Sequence, residues 1–142
     1  MRVAKSALWA AFLLASCQKA VPDFTLSVPS PDGGRKAVLN GFQPRGTIEG
    51  NLVLSFRDEP ERTATFRQIE NGQIGWVAAD TLAIVADRLE FYSLDSEYFS
   101  DGTIGSRIRV IVCAKQDMDC SDLAQRLART PNVKHIGHFP EG

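Results

Sequence analysis

The six residues TLAIVA, Thr81 to Ala86, carry no charge and are apolar on both faces of an extended chain. A strand with only one buried face alternates between apolar and polar residues. A run without alternation belongs where it is covered above and below. This stretch is therefore expected at the centre of a sheet, and the rest of the chain is read outward from it.

On either side the period is two. Phe24, Leu26 and Val28 alternate with Thr25 and Ser27. Leu52, Leu54 and Phe56 share a face, followed by Ala64 and Phe66 in the next run. Ile104, Ile108, Val110 and Val112 point one way while Arg107 and Arg109 point the other. Such alternation describes half-buried antiparallel strands. Asp32-Gly33-Gly34, Asn71-Gly72 and Asp101-Gly102 fall between these runs, and such residues tolerate the positive φ of tight hairpin turns. Arg57-Asp58-Glu59-Pro60-Glu61 reads as a longer hairpin loop. One helix is expected near the C-terminus. Asp119 caps it, Asp122 follows as a shortened capping-box partner, Leu123, Leu127 and Ala128 form its apolar stripe, and Pro131 ends it. Val133 to Phe139 reads as a last strand. The expected class is mainly β: about eight antiparallel strands in hairpins, forming a sandwich or curled sheet, with one short C-terminal helix.

Ser30-Pro31-Asp32-Gly33 with "RKAVLNG" after it, and later "IGWVAADTLAIVAD", resemble a group of short bacterial proteins with an SPDG turn. The same phrases occur in blades of TolB-like propellers. A whole propeller needs at least four blades of about 40 residues, which this chain is too short to supply. The resemblance implies β structure and carries nothing about function.

The N-terminus has a different grammar. Arg2 and Lys5 precede an uncharged run from Ala7 to Ala15. Nine helical residues cover roughly 14 Å, about half of a ~30 Å hydrocarbon core, so the run is too short to span. A basic start, a short apolar run and small residues before a cut are the parts of a secretory signal peptide. Leu14-Ala15-Ser16-Cys17 resembles the lipobox of bacterial lipoproteins. That resemblance implies a signal peptide over 1–16, cleavage after Ser16, diacylglyceryl transfer to the Cys17 sulfur, a lipidated tether over 17–23 and a single β-rich domain over 24–142. The membrane partner would then be reached through lipid on Cys17 alone, since two or three acyl chains hold firmly where one does not. Gln18, in place of aspartate, favours the periplasmic face of the outer membrane if the envelope has two membranes. From Cys17 to Asp23 the tether reaches at most roughly 20 Å.

The whole chain has 16 Lys+Arg and 17 Asp+Glu, and residues 1–16 contain two of the bases and no acid. The remainder is net acidic by ~3 charges, with no basic stripe for nucleic acid. Outside the cytoplasm the remaining cysteines, Cys113 and Cys120, are most simply a disulfide. Two alternatives stand beside it: free buried thiols, or a metal site completed by His135 and His138 with Met118 nearby. The Cys-x₆-Cys and His-x₂-His spacings depart from common zinc patterns, and an extended chain sends His135 and His138 to opposite faces.

Asp95, Glu97 and Asp101 lie among Phe91, Tyr92, Tyr98 and Phe99. The acids do not follow an EF-hand order, and the aromatics fit core plus edge as well as a binding rim. No G-x-S-x-G, H-E-x-x-H or phosphate-cradling glycine loop occurs, and nothing calls for a cofactor. Trp76 reads as a core indole, Arg107 and Arg109 as a polar sheet face. The expected function is a lipid-anchored envelope module that binds or scaffolds, with a protein partner docked on a strand edge. The alternatives are a small-molecule or metal-binding module, and a hydrolase using paired carboxylates.

Overall fold

The computed structural model describes residues 21–42, 51–56, 64–94, 97–99 and 107–137. The strands are β1 Phe24–Pro29, β2 Lys36–Phe42, β3 Asn51–Ser55, β4 Ala64–Glu70, β5 Gly72–Ala78, β6 Thr81–Ala86, β7 Arg88–Leu94, β8 Glu97–Phe99, β9 Arg107–Ala114 and β10 Lys134–Ile136. Helix α1, Ser121–Ala128, lies between β9 and β10. The strands form two five-stranded sheets, ordered β1-β2-β3-β4-β7 and β10-β5-β6-β9-β8. The expected mainly β architecture with one short helix is what the chain adopts.

Alternation builds the space between the sheets. Val28, Ala37, Leu39, Leu52, Leu54 and Phe66 from the first sheet meet Ile74, Trp76, Leu82, Ile84, Ile108 and Ile136 from the second in one buried cluster. Each such aliphatic side chain contributes roughly 2 kcal/mol on burial. Phe66 and Ile69 are an odd number apart yet both buried, because the β4–β7 register shifts between Phe66 and Gln68. The extra residue of a bulge resets the alternation.

Thr81–Ala86 is the middle strand of its sheet. Leu82, Ile84 and Ala86 face the sandwich, while Ala83 and Val85 face outward into a second cluster with Cys113, Cys120, Leu123 and Leu127. The helix supplies that outer cover, so the molecule has three layers: sheet, sheet, helix. Gly75 sits beneath it, and a Cβ there would come within 3.0 Å of Leu127 Cδ2 and Val133 Cγ2. Absence of a side chain lets the helix approach the sheet.

Three expectations need correction. Asn71-Gly72 is not a hairpin turn: β4 and β5 lie in different sheets, and Asn71, at φ 48°, carries the chain across the sandwich. Asp87 makes the reverse crossing from β6 to β7. The second difference follows from these crossings. The described pairings are antiparallel except β6–β9, which is parallel because the chain leaves the second sheet for β7 before returning. Third, the helix begins one residue later than expected. Cys120 is the N-cap and makes no side-chain capping bond, whereas Asp119 Oδ1 accepts from Ser121 N at 2.9 Å. Ala128 is exposed, and Ala124 joins Leu123 and Leu127 on the packed face.

Asp32-Gly33-Gly34 does form the β1–β2 turn, with Gly33 at φ 71°. Ser30 Oγ donates to Asp32 Oδ1 at 2.5 Å and accepts from Arg35 N at 2.9 Å, which closes the loop around a buried hydroxyl. β3 pairs with β4 as the hairpin reading requires, though its loop at 57–61 lies outside the described residues. The signal and tether through residue 20, Ile104, and the Asp101-Gly102 turn also lie outside them. The last strand is described as Lys134–Ile136.

Candidate functional site

One hollow among the described residues combines polar side chains from strand ends that lie far apart in sequence. Asn71 precedes β5, Asp87 follows β6 and Lys115 follows β9, all at the same end of the second sheet. Lys115 Nζ donates to Asp87 Oδ1 at 2.8 Å and Asn71 Nδ2 donates to Asp87 Oδ2 at 2.9 Å. The backbone fixes this corner: Asp87 N donates to Glu70 O, Lys115 N to Ala86 O, and Gln116 N to Asp87 O. The Lys115 bond first, and then that of Asn71, hold the Asp87 carboxyl below its ordinary value.

Behind this trio, cross-strand pairing lines up His135, Gln73, Val85 and Cys113 in one row across β10, β5, β6 and β9. Ala124 of α1 closes one side. The result is a notch of about 360 Å³ with His135, Gln73, Asn71, Asp87 and Lys115 as its polar lining. A second hollow of about 330 Å³ is bordered by Met118, Asp119, Cys120 and Ser121, and it shares Lys115 and Ala124 with the notch. The notch offers an ammonium, a carboxylate, two amides and an imidazole over a small apolar floor. That mixture suits a small polar molecule with both donors and acceptors.

The residues singled out in the sequence do not converge here. Cys113 and Cys120 are joined by a disulfide, with Cα atoms 5.9 Å apart. Sulfurs bonded to each other are not the thiolates a metal requires, so neither the metal reading nor the free-thiol reading of this pair holds. His135 is exposed on β10 beside Gln73, Met118 is exposed, and His138 lies outside the described residues. No group of three His, Cys, Asp or Glu able to hold a metal occurs among the described residues. Asp95 and Asp101 lie outside that set. Glu97 opens β8, paired in register with Arg109. Cys17 also falls outside the described residues, and no helix among them is long and apolar enough to cross a membrane. Trp76 is the core indole expected, and Arg109 lies on an exposed strand position.

Sequence reasoning missed Asn71, Gln73, Asp87 and Lys115 as a group. They are separated by up to 44 positions and meet only through strand register, which no local pattern encodes. No family model, curated protein or solved structure matches the chain.

Proposed function

We propose that this chain is a lipid-anchored accessory module of a bacterial cell envelope, held at the membrane through Cys17 and acting by binding. The observation that carries the compartment is the Cys113–Cys120 disulfide. Structural disulfides persist outside the reducing cytoplasm and are rare within it. The basic start, the short apolar run and Leu14-Ala15-Ser16-Cys17 support the anchor from the sequence side. The tether enters the domain at Asp23, whose N–H donates to Gly41 O at 2.7 Å at the open end of the β1–β2 hairpin. An anchor at Cys17 would therefore keep the folded domain within about 20 Å of the lipid surface. Membrane fractionation tests this. The native chain should sediment with membranes and Cys17→Ala should not; equal distribution of the two, or an unmodified Cys17 sulfur in the mass spectrum of native material, would overturn the anchor.

Two modes of binding follow from different parts of the molecule. A protein partner would use a strand edge of β1, β7, β8 or β10, the outermost strands of the two sheets. The notch favours the second mode, a small polar ligand, because its donors and acceptors converge on one volume. Ligand-observed NMR against a library of polar fragments, repeated with Lys115→Ala, would separate them. Hits lost in the variant support the notch. An absence of hits, with envelope proteins crosslinking to residues placed on an edge strand, would favour the protein partner.

A further inference from the structure

We propose that the Cys113–Cys120 disulfide is a redox latch on helix α1, and that its reduction releases the helix from the outer sheet face while the sandwich stays folded. The separation of the two cores carries this. α1, both cysteines, Ala83 and Val85 belong to the outer cluster. The cluster between the sheets contains no residue of the helix. Loss of the outer layer therefore leaves the inner core intact.

The helix is poorly equipped to hold itself. It has eight residues, well short of the length at which an isolated helix persists in water. Its N-cap residue, Cys120, makes no side-chain bond, and the Asp119 carboxylate just outside the helix holds only the first N–H, that of Ser121. Only Leu123 and Leu127 are buried along it. The disulfide closes a sequence separation of seven, so breaking it enlarges the open-state ensemble by roughly 70-fold in the loop-closure model.

The chemistry needs a dithiol reductant. One of its thiolates attacks a cystine sulfur, the S–S bond breaks and a mixed disulfide forms. The second thiol displaces the protein sulfur. Two electrons and two protons pass to Cys113 and Cys120, and the reductant leaves as its own disulfide. Both cysteines are buried, and Cys120 lines the 330 Å³ hollow, the side from which a reductant would have to reach the bridge. Ala124 lines both that hollow and the notch, so release of α1 would remove a wall from each. This last consequence rests on the small-ligand reading; release of the helix does not.

Amide hydrogen exchange on the folded protein, with and without millimolar dithiothreitol, tests the latch. On reduction the amides of Ala124 to Ala128 should exchange at least ~70-fold faster, with little dependence on added urea. Those of Ile74, Leu82 and Ile84 should remain slow and urea-dependent. The double variant Cys113→Ala, Cys120→Ala should reproduce the pattern without reductant. Three results would each overturn the proposal: unchanged protection of α1, simultaneous loss of protection in helix and sheet, or a disulfide that resists dithiothreitol in the folded state.

Discussion

The indole Nε1 of Trp76 donates to the main-chain carbonyl of Val28 at 2.8 Å, and this bond ties β5 of one sheet to β1 of the other. Trp76 is buried, and its ring meets Phe56 at 5.9 Å between centroids in a tilted arrangement. Val28 is interior as well, so its carbonyl has no solvent to turn to. Trp76→Phe keeps a ring in the core but removes the donor and leaves a void. The expected loss is about 1–3 kcal/mol, combining a lost buried hydrogen bond with lost packing. Urea denaturation followed by far-ultraviolet dichroism measures it. A midpoint unchanged from the native chain would show that this bond does not join the sheets.

Gly75 tests the third layer. Its missing side chain is what brings Leu127 and Val133 against β5, each 3.0 Å from where a Cβ would stand. Gly75→Val suits a strand by propensity, yet here it must push the helix away. A cost of about 1–3 kcal/mol is expected, as for other overpacked sites, with faster exchange confined to α1. Stabilisation instead would mean that the helix has slack to move outward.

The bridged cysteines give a chemical test. Denatured, unreduced material should titrate no free thiol from Cys113 or Cys120, and both after reduction. Oxidised protein should bind no added zinc through this pair, because a cystine offers no thiolate. Stoichiometric zinc in oxidised protein would point to ligands outside the described residues.

These elements differ in how far the sequence disclosed them. Thr81–Ala86 announced a central, doubly covered strand because burial on both faces leaves its mark on every residue of the strand itself. The alternation around Val28, Leu54 and Val110 is equally local. Asn71-Gly72 misled because a residue at positive φ serves a crossing between sheets as well as a hairpin. What lay beyond reach was register. Nothing near Asp87 in sequence says that Asn71 and Lys115 will meet its carboxylate, since that follows from the pairing of β5 with β6 and β6 with β9. Cys113 and Cys120 sit between these cases. Their pairing was legible from count and compartment and the helix beside them from its apolar stripe, whereas its place over Ala83 and Val85 on the outer face of β6 had to be seen.

The acid limb of stability should report the same corner. Asp87 is held low by Lys115 and Asn71, Asp32 by the Ser30 hydroxyl and the Gly34 N–H, and Asp119 by the Ser121 hydroxyl and N–H. A carboxyl whose folded value is depressed binds fewer protons when folded than when unfolded. Its contribution is fully present above the unfolded value near ~3.9 and is lost as pH falls through the folded one. Stability should thus be flat from these groups above about pH 5 and decline below about pH 4. Asn71→Gly separates the causes at Asp87. Glycine accepts the φ of 48° that this crossing needs, so the turn survives, but the amide donor at 2.9 Å is gone. Carbon-detected NMR titration should then find the Asp87 carboxyl higher than in the native chain yet still below its ordinary value, because Lys115 remains. Asp32 and Asp119 should not move. If Asp87 titrates identically in both proteins, Asn71 contributes nothing to the carboxylate, and the trio at the mouth of the notch reduces to a single ion pair.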